Sequence, residues 1–456
     1  MTIVVVPSLT LPIEDLQKIS GVIFYEERLL CFLLLLADPA VRVVYTTSIA
    51  VDPAVIEYYL RFVPDPGDAR SRLQLVDTGD PEVGWLSAKL LSDGAALNRL
   101  RDAIGDPGDA SIVPFIATSV EHELAEALGV PVDGPRPELV ALGSKSGARK
   151  VARKAGVGVL PGREDLFTVE DVTAAITTLV TDRPRMEAVV IKLNDCFSGL
   201  GNVILEVDGL ADLLPTSKSV FCSEDESWPS YIVKMAEQGA VVEELLRAPE
   251  LRSPSVQLRI SPAGAVEILS THDQILGGPQ NQVYLGCRFP AHPDYRLLIQ
   301  NAALRVGEVL AAEGVVGAFG IDFLVVGHDV YLSEINLRLG GTTHPFWMAR
   351  LATGARYDFA SGELLRPGGD ARYYVATDNL KSARFRGRTP ADVIALIDAA
   401  GLGYDPAAGT GVALHLLGAV PTTGKFGATC IASSPSAADD LYRAVKDVVG
   451  AELPPS

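Results

Sequence analysis

Cysteine is scarce and scattered: Cys31, Cys196, Cys222, Cys287 and Cys430 share no CxxC spacing, which argues against both a disulfide framework and a zinc ribbon. Basic runs are lacking too. With 39 Lys and Arg against 57 Asp and Glu, and a net charge of −18, the chain offers no clustered cations for a nucleic-acid backbone, so no such partner is expected. The strongest apolar run, Leu29–Ala37, is too short to span a bilayer and follows the charged triplet Glu26-Glu27-Arg28; it reads as a core helix of a soluble domain. The opening MTIVVVPSLT has neither a basic n-region nor a small-residue cleavage site, so it reads as a buried strand and a cytoplasmic location is expected. No GxGxxG follows that strand, and no GxSxG elbow marks a nucleophile.

What is present is a chain long enough, at 456 residues with 48% hydrophobic side chains, to divide into several lobes. From Ile3 to about Gly134, the β-rich stretches TIVVVPS, RVVYTTS, LQLVDT and SIVPF alternate with helix-like ones, which predicts parallel strands with crossover helices. VPVDGPRPEL then reads as a boundary. Beyond it come a basic helix (KSGARKVARKAGV), a second helix (TVEDVTAAITTLV), and the strands AVVIKL and VVEELL. A hairpin VQLRISPAGAVEILST, a helix from Ile299 and a strand pair GIDFLVV and VYLSEIN follow. The last hundred residues predict a helix at ADVIALIDAAG, a strand at GVALHLLGAV and a final helix at DDLYRAVKDVVG.

Chemistry concentrates in SEINLRLGG. On a strand, Glu334 and Asn336 point to one face, where two oxygen-bearing side chains can share a hard cation, and Asp322 on the partner strand completes the set. Arg338 follows as an anion clamp, and Gly340 and Gly341 permit close backbone approach. Taken alone, such residues are ordinary hairpin polar groups; together they suit a cation and a phosphate. Lys192 ends an apolar strand where an ammonium requires a partner, a phosphate being one. Ser198, Gly199, Leu200 and Gly201 then form a turn whose N–H groups can cover phosphates. Lys145 is a third cation candidate, although by itself it reads as a solvated surface lysine. The strand Glu243, Glu244, Leu245, Leu246 offers an apolar slot and a backbone edge for a purine, or two solvent-facing carboxylates. His272 could act as a base for an incoming amine, or be a hydrogen-bonded structural histidine. Arg259 faces either a ligand or its neighbours, depending on register.

In this order, spanning Ser144 to Arg350, these pieces resemble the ATP-grasp family of carboxylate–amine ligases. The resemblance implies α/β and α+β architecture. A Rossmann-like pre-grasp α/β domain would span 1–138 and the ATP-grasp core 139–356, with a small lobe about 143–246 and a larger lobe about 247–356. An extra α+β domain would span 357–456. It implies ATP with Mg²⁺, or Mn²⁺ in its place. Lys145 and Lys192 would lie on the phosphates, and Ser198 to Gly201 would fold over them. Glu243 to Leu246 would hold adenine, with the backbone of Glu244 and Leu246 reading its edge, and Glu250 would lie at the ribose. Asp322, Glu334 and Asn336 would hold the metal and Arg338 the transferring phosphoryl group. Within the family, FYEERLLCFLL and STHDQILGG resemble the peptide ligases of pheganomycin-type biosynthesis. That implies a guanidino acid, for which Asp273 and Glu26 are candidate partners, and the N-terminal amine of a peptide. Arg259, His272, Asp273, Gly340 and Gly341 would then line the substrate site. A dipeptide-forming amino-acid ligase, an inactive ATP-binding regulator and a phosphotransferase are the rival readings, and a homodimer is expected.

Overall fold

The computed structural model describes residues 1–195, 201–207, 219–223, 226–277 and 283–450. The four β-rich stretches of the first segment form β1 (Thr2–Val6), β2 (Arg42–Thr47), β3 (Leu73–Asp77) and β4 (Ala110–Pro114). They pair in the order β3-β2-β1-β4, all parallel. Every residue of β1 is buried because both faces of the sheet are covered. Val4 and Val6 pack with Leu86, Leu90, Leu100 and Leu124 from helices on one face, while Ile3 and Val5 pack with Leu29, Leu30 and Leu33 on the other. The apolar run is helical and in the core, as expected, but Val22–Ala37 winds in 3₁₀ turns. No helix of the described residues is long and apolar enough to cross a membrane.

The next sheet is antiparallel, with strands β5 (Gly162–Leu166), β6 (Ala188–Leu193), β7 (Asn202–Glu206), β8 (Ser219–Phe221) and β9 (Ala240–Glu244) in the order β5-β9-β6-β7-β8. Helices Val169–Asp182 and Trp228–Gln238 supply its core through Ile176, Leu179, Tyr231 and Met235. β9 stops at Glu244, so Leu245 and Leu246 lie beyond the strand predicted to contain them.

A third sheet begins with β10 (Pro254–Ile260), β11 (Val266–Gly277), β12 (Val283–Phe289), β13 (Gly317–Val326) and β14 (Asp329–Asn336), in the order β14-β13-β10-β11-β12. Helix Arg296–Ala312 packs on it through Ile299, Ala303, Val306 and Leu310. The hairpin at Pro262 to Gly264 and the strand pair β13–β14 form as read from the sequence. The sheet then runs on through β15 (Arg356–Asp358), β16 (Glu363–Leu365), β17 (Ala371–Lys381), β18 (Gly411–His415) and β19 (Lys425–Ala432). β12 is bonded to β17, and the close approach requires glycine at Gly286, where a Cβ would sit 2.2 Å from the Ala376 carbonyl oxygen. The sequence boundary near residue 357 therefore falls inside one continuous sheet. The predicted strand GVALHLLGAV is shorter than its apolar pattern. Leu416 turns left-handed at φ 56°, and the chain continues as the turn Leu417–Ala419 and the short helix Val420–Thr423.

Candidate active site

The β13–β14 hairpin is the base of the site. Asp322 lies directly opposite Glu334, and Ser333 is an extra residue in the ladder, a bulge that re-aims the strand end. Asn336 Nδ2 donates to Asp322 Oδ2 at 3.1 Å, and Gln274 Nε2 donates to Asp322 Oδ1 at 2.8 Å. Arg338 Nη2 donates to Asn336 Oδ1 at 3.2 Å. Lys145, at the start of helix Lys145–Lys154, donates its Nζ to the Glu334 carboxylate. It is buried and ion-paired, so the solvated-surface reading of this lysine does not hold.

The electrostatics suit a divalent cation and polyphosphate. Burial, with Glu334 opposite, pushes the Asp322 carboxyl up to about 7, and burial lowers the proton affinity of Arg338. Two crowded carboxylates of this kind are stabilised by a hard cation, and Lys145 and Arg338, bonded here to Glu334 and Asn336, would meet the charge of phosphates. Asp322, Glu334 and Asn336 would hold Mg²⁺, which when bound would neutralise developing phosphate charge.

A second cluster lies in the β5–β9 sheet. Lys192 Nζ is 2.7 Å from Glu243 Oε2, and Arg149 Nη1 donates to Glu243 Oε1 at 2.5 Å. The partner that Lys192 required is thus a carboxylate in this structure. Burial alone would raise the Glu243 carboxyl; Lys192 and Arg149 together outweigh it and hold the group below its ordinary value. Glu243 points at this pair from within the lobe. The Glu244 N–H is taken by the Pro161 carbonyl at 2.9 Å and that of Leu245 by Ala188 at 3.0 Å, while Glu250 is exposed in the following turn. Ser198, Gly199 and Leu200 lie outside the described residues; Gly201 precedes β7 and its carbonyl accepts from Tyr231 at 3.0 Å.

The substrate residues divide. Arg259 Nη2 is 3.0 Å from both carboxylate oxygens of Asp133 and lines a cavity of about 130 Å³ together with Phe32, Phe115, Arg338, Leu339 and Trp347. Gly340 donates its N–H to Thr343 Oγ1 at 2.9 Å, and Gly341 lies so close to the Tyr284 ring that a Cβ there would sit 2.6 Å from it. His272 is not placed as a base. It is fully buried, its Nε2 is 2.6 Å from the Tyr374 hydroxyl, and burial pushes its pKa down to about 3. Asp273 accepts from the Tyr295 hydroxyl at 2.7 Å and from the His292 N–H at 3.0 Å, and Glu26 accepts from Ser48 Oγ at 2.7 Å. Both carboxylates thus already accept hydrogen bonds from within the chain.

Sequence reading passed over Arg149, Gln274 and a buried group formed by Arg28, His344, Asp378 and His415. Arg149 had a signal, since it stands one helical turn after Lys145 on the same face. The others come from distant segments with no shared spacing.

A family model described as IQCH-like, ATP-grasp matches residues 137–220 and 207–334, and one described as PGM1 C-terminal domain matches 392–445. L-propargylglycine–L-glutamate ligase from Streptantibioticus cattleyicolor is 35% identical over 453 residues, covering 96% of this chain and 92% of that one. The chain belongs to the ATP-grasp ligases. As an ATP-grasp ligase it is a carboxylate–amine ligase that uses ATP. The fold is shared with biotin carboxylase from Campylobacter jejuni, at a TM-score of 0.60 and 16% identity over 98% of this chain and 90% of that one. It is also shared with N5-carboxyaminoimidazole ribonucleotide synthetase from Thermus thermophilus, at a TM-score of 0.52 and 14% identity over 100% of both chains.

Proposed function

We propose that this ATP-grasp ligase activates the carboxylate of an amino acid as an acyl phosphate and joins it to the amine of a second amino acid or of a short peptide, releasing ADP and phosphate. The observation that carries this reading is the convergence of Asp322, Glu334 and Asn336 with Lys145 and Arg338. A carboxylate is a poor electrophile towards an amine. Phosphorylation gives it a leaving group, and the work left to the protein is positioning and charge neutralisation, which this set of side chains supplies. In the proposal Mg²⁺ or Mn²⁺ is held by Asp322, Glu334 and Asn336, and Lys145 and Lys192 lie along the phosphates. Adenine lies against Glu243 to Leu246, with the Glu244 carbonyl and the Leu246 N–H at its edge and Glu250 at the ribose. Residues 1–138, 139–356 and 357–456 act as successive units around it, the last two sharing one sheet through β12 and β17.

The amino-acid reading is favoured by the S. cattleyicolor relative, whose name specifies two amino acids. The cavity beside Arg338 and the Arg259–Asp133 pair is otherwise lined by apolar residues and glycine, and its volume of about 130 Å³ fits one amino-acid side chain. A peptide amine and a role in peptide natural-product biosynthesis belong to the same proposal, as do the cytoplasm and a homodimer, the last testable by light scattering. The deciding experiment is ATP turnover with Mg²⁺ across pairs of L-amino acids and short peptides. ADP and phosphate formed only when both substrates are present is the expected result. AMP and pyrophosphate, or ADP formation indifferent to the amine, would overturn the acyl-phosphate ligase.

A further inference from the structure

Arg28 has no part in the site described so far. Its guanidinium lies 4.2 Å from the centre of the Tyr25 ring and 5.8 Å from that of Phe115, and Phe115 lines the cavity beside Arg338. The side chain makes one hydrogen bond among the described residues, from Nη2 to Asp378 Oδ2 at 2.9 Å, and its Nε has no partner. At 17% exposure it is still reachable from outside.

Asp378 holds Arg28 firmly because Asp378 is itself fixed. His344 Nε2 lies 2.8 Å from Asp378 Oδ1, and His415 Nδ1 lies 3.4 Å from the same oxygen. His344 stands at the start of helix Thr343–Thr353, just beyond the Gly340–Gly341 turn, Asp378 and His415 stand on β17 and β18, and Arg28 stands on the 3₁₀ run, so four separate elements meet here. A second cation lies close by. Lys425 Nζ donates to the Tyr25 hydroxyl at 2.7 Å and lies 5.2 Å from the centre of that ring. Arg28 and Lys425 thus share the Tyr25 ring, and Arg28 also lies against Phe115, which lines the cavity beside Arg338. A guanidinium with one hydrogen bond and an Nε left without a partner suits an anion.

The chemistry of the reaction narrows which anion. Lys145, Lys192 and Arg338 serve the nucleotide phosphates in the proposed function, on which this inference rests. An amino acid or peptide that presents its amine to the acyl phosphate carries a carboxylate that does not react. That carboxylate must be held while the amine reaches the carbon beside Arg338. We propose that Arg28 is the anchor for the unreacted carboxylate of the amine substrate, with Asp378, His344 and His415 as positioning residues behind it. A guanidinium is suited to the task because its planar donors match a carboxylate, and the Tyr25 and Phe115 rings flank it with apolar surface.

The test compares wild-type enzyme with R28K and R28L, using the amine substrate that supports ADP formation both as the free acid and as its α-carboxamide. Wild type should prefer the free acid. R28L should raise KM for the free acid about ten- to a hundredfold while leaving KM for the carboxamide and for ATP unchanged, with R28K intermediate. An equal loss on free acid and carboxamide, or a preference that survives in R28L, overturns the proposal. Sensitivity that follows instead a second carboxylate of the activated acid assigns Arg28 to the other substrate and also overturns it. A turnover-independent arm measures the thermal shift given by L-alanine, L-leucine and L-glutamate and by their α-amides, with Mg·ADP present. Stabilisation by free acids that R28L abolishes supports the anchor, and its persistence in R28L refutes it. Absence of ADP formation with every pair would defeat the proposed function, while the binding comparison would still decide the role of Arg28.

Discussion

Glu243 is 2% exposed and neutralises two cations, so replacing it with Gln leaves Lys192 and Arg149 charged in a buried site. Breaking a buried pair in this way costs roughly 3–5 kcal/mol. Arg149 keeps a bond from its Nε to Glu164 at 3.1 Å, so the stranded charge is mainly that of Lys192, and the lower end, about 3 kcal/mol, applies. Trp228 reports on this lobe, packed at 5.3 Å from Phe221 and 5.8 Å from Tyr231. In a background where Trp85 and Trp347 are replaced by Phe, urea unfolding followed at Trp228 should show E243Q with a midpoint lower by about 1–2 M, taking an m-value of roughly 2 kcal/mol/M. Replacing the whole group, as R149M/K192M/E243L, should recover most of that loss, because no buried charge is left unpaired. The pH dependence follows in sign. The Glu243 carboxyl is held below its ordinary 4.5, so its contribution is complete above that value and is lost as pH falls through the lowered one. Wild type should therefore lose more of its lobe stability in acid than E243Q does. A midpoint in E243Q within about 0.3 M of wild type, comparable to an ordinary surface substitution, would refute the reasoning.

The remaining expectations concern the β13–β14 hairpin and its surroundings. E334Q and R338A should each lower the rate of ADP formation about 10²- to 10³-fold with an unchanged far-UV circular dichroism spectrum, and wild-type turnover in either removes the proposed metal and phosphate roles. G341A places a Cβ 2.6 Å from the Tyr284 ring, so the turn or the ring must shift. Turnover should fall, and the double variant G341A/Y284L should regain part of it; a G341A enzyme as active as wild type shows that the turn need not be held there. With its pKa at about 3, His272 is neutral throughout the working range, so H272Q should keep the wild-type pH–rate profile. Loss of an ionisation between pH 5 and 8 in that variant would restore the histidine as a base.

Much of the architecture was legible because it rests on local periodicity. β1 through β4 and the β13–β14 pair are apolar or alternating runs ended by turn residues, and such runs form strands in many tertiary surroundings. The meeting of Asp322, Glu334 and Asn336 was legible for the same reason: Glu334 and Asn336 lie two residues apart on one strand, and Asp322 is on its hairpin partner, so it needs only local pairing. Leu416 shows where pattern fails, since an apolar residue at positive φ carries no signature that separates it from the strand before it.

Partners that are distant in sequence were not legible at all. The lysine in AVVIKL had to be neutralised, yet only the pairing of β6 with β9 brings Glu243 to it, and only the docking of helix Lys145–Lys154 adds Arg149. Asp133 meets Arg259, and Asp378 meets Arg28, across separations of 126 and 350 residues. The sequence by itself determined the elements and the residues each hairpin brings together, because those contacts follow from backbone geometry over a few residues. The tertiary structure alone decided which buried charges neutralise one another and which cations remain for a ligand, because the cost of burying a charge depends on what the rest of the chain places beside it.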